Sequence, residues 1–281
     1  MMKMDKKMVV FGLCTVAGIV LAGSNVSVSD GNASSASVWG KPLSATDQLR
    51  VRSHTVVLDK DISASEIWIN YGGDGSVIVD QNYTLSAKKA IEIGRKGGTQ
   101  GKLIQSAGQV TAAALYVGGT VPASDDDKKS SDRKAGKYDL SGGELSVSGP
   151  LTVSIHGSEL NISGGKITAA TVTVDAALSV SGNSASISFG SLSATAGTGS
   201  EIKLVFGAGG MSPINVSGAA DLSNSALTID GSAYTGSATT FTLLTAGTLK
   251  NIAAGFNVIG FSKYTLDQNT STGVVTLNLI R

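Results

Sequence analysis

Apolar and polar residues alternate along most of this chain with a period of two, the pattern of β-strands that bury one face and expose the other. The alternation is clearest in residues 50–58, 65–71 and 76–79. Clusters of Gly, Asn and Asp separate these segments and favour turns. After residue 24, no segment shows the 3.6-residue period of an amphipathic helix. The sequence therefore predicts an all-β protein built from many short strands.

Four segments in the middle of the chain repeat one order of apolar residues around a Ser-Gly-type turn. The turns begin at Ser106, Ser141, Ser163 and Ser181. Aligned three residues before the turns are Leu103, Tyr138, Leu160 and Leu178. Aligned one residue before them are Gln105, Leu140, Ile162 and Val180. Aligned four residues after them are Val110, Leu145, Ile167 and Ala185. The period is about 20 residues once residues 120–134 are treated as an inserted loop.

A period of this length is typical of a solenoid, in which stacked coils bury an apolar face that one coil cannot bury alone. We therefore predict a β-solenoid over residues 49–281. A β-sandwich is the alternative, since it also has turns every 8–12 residues. Residues 239–281 differ from the repeats and end in a predicted hairpin, which suits a capping segment over an open strand edge.

The first 48 residues read differently from the rest. Residues 1–24 combine lysines, an apolar run and the small residues Ala22, Gly23 and Ser24, the pattern of a secretory signal peptide. Cys14, the single cysteine, lies within this segment, so the mature chain would contain no disulfide. Residues 25–48 are polar and rich in small residues, which predicts a flexible lead-in. Export to the periplasm, the cell surface or the extracellular medium is expected.

The repeats around residues 103–119, 138–147 and 160–168 resemble those of autotransporter-passenger-type proteins. They are also similar to exported bacterial β-strand-repeat proteins associated with PEP-type sorting. The resemblance covers roughly residues 90–281. It implies an all-β, right-handed parallel β-helix (β-solenoid) with a C-terminal β-hairpin cap, displayed at the bacterial cell surface. It also implies an adhesive or matrix role.

Charge narrows the candidate partners. The chain has a formal charge of +1, and residues 1–24 carry three lysines and one aspartate, so their removal leaves −1. A near-neutral chain lacks the basic footprint of a nucleic-acid-binding protein. No apolar run after residue 24 is long enough to span a membrane. An extracellular glycan, a matrix or a host surface is the expected kind of partner.

Candidate catalytic groups are four aspartates near the start of the repeats. Asp59 and Asp61 are two residues apart, so on a strand they share one face, and Asp74 and Asp80 follow. Paired carboxylates can act as acid and base in glycan cleavage. The commoner role of such residues is turn formation.

A weaker candidate is a metal site formed by Asp125, Asp126 and Asp127 in the inserted loop. Adjacent carboxylates can collect Ca²⁺, but this run lacks the spacing of a calcium loop and has basic neighbours. No cofactor motif occurs.

Two main hypotheses follow, and a carbohydrate-binding module without catalysis is a further alternative. A structural or adhesive protein should present Ser/Thr faces, whereas a secreted hydrolase or lyase acting on glycan or protein should gather carboxylates in one groove. The sequence leaves enzymatic activity open and favours the first hypothesis.

Overall fold

The computed structural model of the chain describes residues 23–96, 100–119, 134–154, 157–194, 200–223, 225–250 and 256–280. Strand accounts for 64% of the structure, and the described residues contain no helix. The prediction of an all-β protein is therefore confirmed. The strands form two sheets of 13 and 10 strands.

The 13-stranded sheet contains β1 (Ser24–Val26), β3 (Gln48–Val51), β5 (Ile62–Ala64), β6 (Glu66–Tyr71), β8 (Thr84–Lys96), β10 (Gln109–Val117), β12 (Glu144–Val153), β14 (Gly165–Val174), β16 (Ala185–Ser193), β18 (Ile214–Asp221), β20 (Thr240–Lys250), β22 (Tyr264–Asn269) and β23 (Val274–Leu279). The 10-stranded sheet contains β2 (Gly31–Asn32), β4 (Thr55–Val57), β7 (Ser76–Val79), β9 (Gln100–Gln105), β11 (Ala135–Leu140), β13 (Glu159–Ile162), β15 (Ala177–Ser181), β17 (Glu201–Val205), β19 (Ala226–Asp230) and β21 (Phe256–Ile259).

The chain passes back and forth between the two sheets, and one passage through both sheets is termed a coil. Strands of successive coils pair in parallel within each sheet. From β8 to β20, every even-numbered strand lies in the larger sheet and every odd-numbered strand in the smaller one. Among the described strands, only the pairs β20–β23 and β22–β23 are antiparallel. Parallel pairing at a regular interval is what a sequence repeat of about 20 residues predicts.

The aligned repeat positions coincide with the observed register. Tyr138 lies opposite Leu103 on one side and Leu160 on the other, and Leu160 in turn lies opposite Leu178. The repeat alignment therefore predicted this part of the strand pairing correctly.

One aligned position was wrong. Ile167 was aligned with Ala185, but in the structure it pairs with Ile187, and Ala185 pairs with Gly165. Two additional residues in the turn after Ser181 displace the following strand. Because side chains alternate between faces, a shift of two residues kept the apolar face inward.

The core consists of apolar columns that run from coil to coil. One column in the larger sheet contains Leu85, Val110, Leu145, Ile167, Ile187, Ile214 and Leu244. One in the smaller sheet contains Val77, Leu103, Tyr138, Leu160, Leu178, Ile202 and Leu227. All of these side chains are buried in a single cluster. Burying each such side chain stabilises the fold by about 1.5–3 kcal/mol.

A polar pair interrupts the columns of the smaller sheet. Tyr138 is fully buried, and its hydroxyl donates a hydrogen bond of 2.5 Å to Oε1 of Gln105, which is also fully buried. Nε2 of Gln105 donates to the carbonyl oxygens of Gly108 and Glu144 at 3.2 and 3.1 Å. The two polar side chains occupy adjacent coils and satisfy each other, so neither requires water.

The tight turns of the repeats need glycine at defined positions. Gly143 has φ +73°, and a Cβ there would lie 2.4 Å from the carbonyl oxygens of Ala107 and Gly108 in the adjacent coil. Stacked turns approach too closely for a side chain, which explains the Gly-Gly element of the repeat.

Residues 25–48 were expected to form a flexible lead-in, and the structure places them in the first coil instead. They contribute to β1 and contain β2, and Ala33, Val38 and Trp39 are buried. Nε1 of Trp39 donates a hydrogen bond of 3.0 Å to the carbonyl oxygen of Ala33. Apolar side chains are sparse in this segment, so its composition did not indicate that it packs against the core at the first strands of both sheets.

The predicted C-terminal hairpin is present. β22 and β23 pair antiparallel, and β23 pairs antiparallel with the first half of β20. The second half of β20 continues the parallel sheet, and β21 continues the other sheet. Residues 239–281 thus contain part of the repeating stack as well as the hairpin at its end. Of the inserted loop 120–134, residues 120–133 lie outside the described residues.

Candidate functional site

Asp59 and Asp61 lie in the turn that leads from β4 to β5. The Asp59 carboxylate accepts hydrogen bonds from the backbone N–H of Ser34 at 2.7 Å and from the Ser34 hydroxyl. Oδ1 of Asp61 accepts from the backbone N–H of Thr84 at 2.8 Å. Each aspartate therefore joins its own coil to an adjacent coil.

Asp74 lies between β6 and β7, in a turn that leads from the larger sheet to the smaller one. The turn that holds Asp59 and Asp61 leads the other way, from the smaller sheet to the larger one. Its Oδ1 accepts from the backbone N–H of Gln100 at 3.0 Å, at the first residue of β9. Asp80 directly follows β7 and is exposed. Asp80 follows β7 in a turn that leads from the smaller sheet to the larger one, as does the turn that holds Asp59 and Asp61, whereas Asp74 lies in a turn of the opposite direction. The structure therefore separates Asp74 from the other three carboxylates.

The structure adds Asp30 to the set, which the sequence reasoning missed. Its Oδ1 accepts from the backbone N–H of Thr55 at 2.6 Å, at the start of β4. Asp30, Asp61 and Asp74 thus bond the first N–H of a strand in the next coil. An Asp beside Gly in a turn was the available signal, since such side chains often accept from nearby backbone N–H groups.

The protonation of Asp59 also suits a structural role. The hydrogen bond from the Ser34 hydroxyl lowers the pKa of Asp59, so the carboxylate stays ionised at neutral pH. A general acid requires the opposite, a pKa raised toward the working pH. Burial does raise the pKa of Asp175, but this residue lies at the end of β14, several coils away.

The weak metal candidates Asp125, Asp126 and Asp127 lie outside the described residues. Within the described ranges, no group of three or more His, Cys, Asp or Glu side chains could hold a metal ion. Nor does any helix in these ranges have the length and apolar character needed to cross a bilayer.

A column of hydroxyl and amide side chains follows the outer face of the larger sheet across eight consecutive coils. This hydroxyl column consists of Ser63, Ser86, Thr111, Ser146, Thr168, Ser188, Asn215 and Thr245. All eight are exposed or half-buried. Adjacent strands place successive members about 4.7–4.9 Å apart. The column offers one uncharged hydrogen-bonding group per coil.

Hydrogen bonds between neighbours hold part of this column in place. Oγ1 of Thr168 lies 3.4 Å from Oγ of Ser146, and Oγ1 of Thr245 donates to Oδ1 of Asn215 at 3.0 Å. Nδ2 of Asn215 is fixed by the carbonyl oxygen of Ile187 at 3.1 Å. These contacts leave other lone pairs and donors of the column facing solvent.

Five coils of the column line an open groove of about 540 Å³. The groove contains no charged residue and is lined by Ser146, Val147, Ser148, Thr168, Ala169, Ala170, Ser188, Phe189, Gly190, Asn215, Val216, Ser217 and Thr245. It is lined by Ser, Thr and Asn side chains together with small and apolar residues. It can therefore accept a neutral, hydroxyl-rich chain that runs along the stack.

The groove arises where the long strands change register. Bulges separate the two halves of β12, β16 and β18, and a bulge bends the strand that carries it. Gly190 lies at one such bend, where a Cβ would lie 2.2 Å from the carbonyl oxygen of Ala170. The sequence showed the serines and threonines but not the register shifts beside which the groove lies.

The chain matches no protein family model, no curated protein and no solved structure.

Proposed function

We propose that this chain is an exported structural or adhesive protein of the bacterial surface or extracellular space. The two long parallel sheets and their shared apolar columns support a closed β-solenoid. A right-handed coil is proposed because crossovers between parallel strands are right-handed in about 98% of cases. The signal-like residues 1–24 suit an exported chain.

The hydroxyl column within the uncharged groove carries the proposal. Hydroxyl and amide groups both donate and accept hydrogen bonds, as sugar hydroxyls do. An extended peptide is a poorer match, because its side chains on one face repeat every two residues, about 6.6–6.8 Å, whereas the column repeats every 4.7–4.9 Å. The proposed partner is therefore a neutral polysaccharide of an extracellular matrix or surface.

A triple variant of the groove tests this function. Ser146→Ala, Thr168→Val and Ser188→Ala remove three consecutive hydroxyls and keep the side-chain size nearly constant. Three hydrogen bonds at about 0.5–1.5 kcal/mol each correspond to at least a tenfold loss of affinity. Binding is measured on immobilised dextran, xylan and mucin.

The matched control removes hydroxyls from the same three strands beyond the bulge. Thr152→Val, Thr173→Val and Ser193→Ala alter a second outward column, in which these residues lie opposite one another. The control should bind as the unmodified protein does. Equal losses in both variants, or no binding by the unmodified protein to any of these surfaces, would contradict the proposed function.

The same preparation tests the alternative of a hydrolase or lyase. Glycan and casein turnover should be absent in the unmodified protein. Turnover that disappears in Asp59→Asn or Asp61→Asn would instead establish the enzyme.

A further inference from the structure

Two arginines near the start of the chain lie against one aromatic ring. Cζ of Arg50 is 4.7 Å from the centroid of the Tyr71 ring, and Cζ of Arg52 is 5.9 Å from it. Arg50 lies on β3, where it is opposite Trp68, and its Cζ is also 4.7 Å from the Trp68 ring. The Trp68 and Tyr71 rings are in contact, with centroids 5.2 Å apart. Both guanidinium groups therefore lie beside the Tyr71 ring.

A third arginine in the cluster is already neutralised. Arg95 forms an ion pair with Glu92, and its Cζ lies 3.8 Å from the Trp68 ring. The Glu92 side chain is buried. Arg95 and Glu92 therefore cover Trp68 and belong to the scaffold beneath Arg50.

Arg50 and Arg52 have no such counter-charge. Neither forms an ion pair with a carboxylate of the described residues, and Arg50 Nε donates to the neutral Oε1 of Gln48 at 2.9 Å. The nearby Glu66 is held by Gln48 Nε2 at 2.7 Å and by Lys89 Nζ at 3.3 Å. Two guanidinium groups near one ring repel each other, and an anion bound between or above them would offset that repulsion.

We propose that Arg50, Arg52 and Tyr71 form a binding site for the carboxylate or sulfate groups of an acidic polysaccharide. The planar guanidinium group presents paired donors that match a carboxylate or sulfate, and stacking on an aromatic ring leaves the edge donors free. A nucleic acid would require a more extensive basic surface than a chain of formal charge +1 provides.

This site is independent of the proposed groove. Arg50 lies on β3, Arg52 directly follows β3 and Tyr71 ends β6, near the N-terminal end of the larger sheet, whereas the groove begins at β12. The anionic partner can therefore bind whether or not the groove binds a neutral glycan.

The test uses the full chain and three probes: polygalacturonate, dextran sulfate and uncharged dextran. Binding is followed by tryptophan fluorescence, because Trp68 contacts Arg50, and by calorimetry at low and high salt. The variant Arg50→Gln/Arg52→Gln should bind both anionic probes more than tenfold more weakly. The charge-matched control Lys203→Gln/Lys263→Gln should bind them within twofold of the unmodified protein.

Two further variants separate recognition from folding and from bulk charge. Arg52 is exposed, so Arg52→Gln alone should keep the far-UV circular dichroism spectrum and still weaken binding several-fold. Arg50→Lys/Arg52→Lys keeps the charge but loses the planar donors, and should also bind more weakly.

The inference fails if the unmodified protein binds neither anionic probe. It also fails if the Lys203/Lys263 control loses as much affinity as the arginine variant, if the lysine variant binds fully, or if duplex DNA binds as tightly as polygalacturonate. Dextran binding reports on the groove alone, so the two proposals succeed or fail separately.

Discussion

Removing the hydroxyl of Tyr138 tests whether the buried polar pair holds two coils together. Tyr138 and Gln105 are both fully buried, and their hydrogen bond is 2.5 Å long. The variant Tyr138→Phe keeps the ring and removes only the hydroxyl. Oε1 of Gln105 would then face an apolar interior without a partner. Burial also raises the pKa of Tyr138 well above its ordinary value, so the hydroxyl remains a donor throughout the accessible pH range.

The magnitude follows from the cost of leaving a buried polar atom unpaired. That cost is about 1–3 kcal/mol. Gln105→Leu should destabilise the protein at least as much, because it also removes donors to the carbonyl oxygens of Gly108 and Glu144. In the double variant neither side chain lacks its partner, so we expect it to be less destabilised than the sum of the single changes, by about 1–2 kcal/mol.

Urea unfolding monitored by circular dichroism measures these differences as shifts in midpoint at constant slope. Tyr264→Phe serves as the control, because Tyr264 is 39% exposed. It should change the unfolding free energy by less than about 0.5 kcal/mol. The reasoning is refuted if Tyr138→Phe is as mild as this control, or if the two single changes simply add in the double variant.

Four shorter predictions concern charge, turns and the first coil. The hydrogen bond from Lys250 lowers the pKa of Asp221, so the ionised carboxylate stabilises the fold fully above the unfolded pKa of about 3.9 and loses this contribution as pH falls through the lower folded pKa. Thermal melts at acid pH should show this loss of stability, and Lys250→Met should diminish it. Asp175→Asn should raise the thermal midpoint at pH 7 but not at pH 3, because burial raises the pKa of Asp175 and disfavours its charge. Gly143→Ala should cost about 1–2 kcal/mol or more in urea unfolding, since φ is +73°. Trp39→Ala should lower the unfolding free energy by about 3–5 kcal/mol. An unchanged unfolding midpoint would instead indicate that residues 25–48 are a flexible lead-in.

Local sequence predicted the elements of this protein because strands and turns depend on nearest neighbours. Side-chain alternation fixes which residues of β13 or β15 face inward, and the Ser-Gly-Gly turn fixes where the chain reverses. Since equivalent residues recur at one period, the register of Leu103, Tyr138 and Leu160 could also be predicted. The prediction failed at Ala185, where the turn changed length, and at Trp39, which lies in a segment without a repeat.

The candidate surfaces were decided only by the tertiary structure. Ser146, Thr168 and Ser188 are visible as isolated polar residues, but a column exists only when their strands pair, and a groove only when bulges bend those strands. Likewise, Arg50 and Tyr71 are distant in sequence and meet because β3 and β6 are adjacent. The role of the aspartates was also decided by the tertiary structure, since their carboxylates accept hydrogen bonds from backbone N–H groups of other coils. Alternation is a property of one strand, whereas a surface belongs to several strands and is set by how they stack.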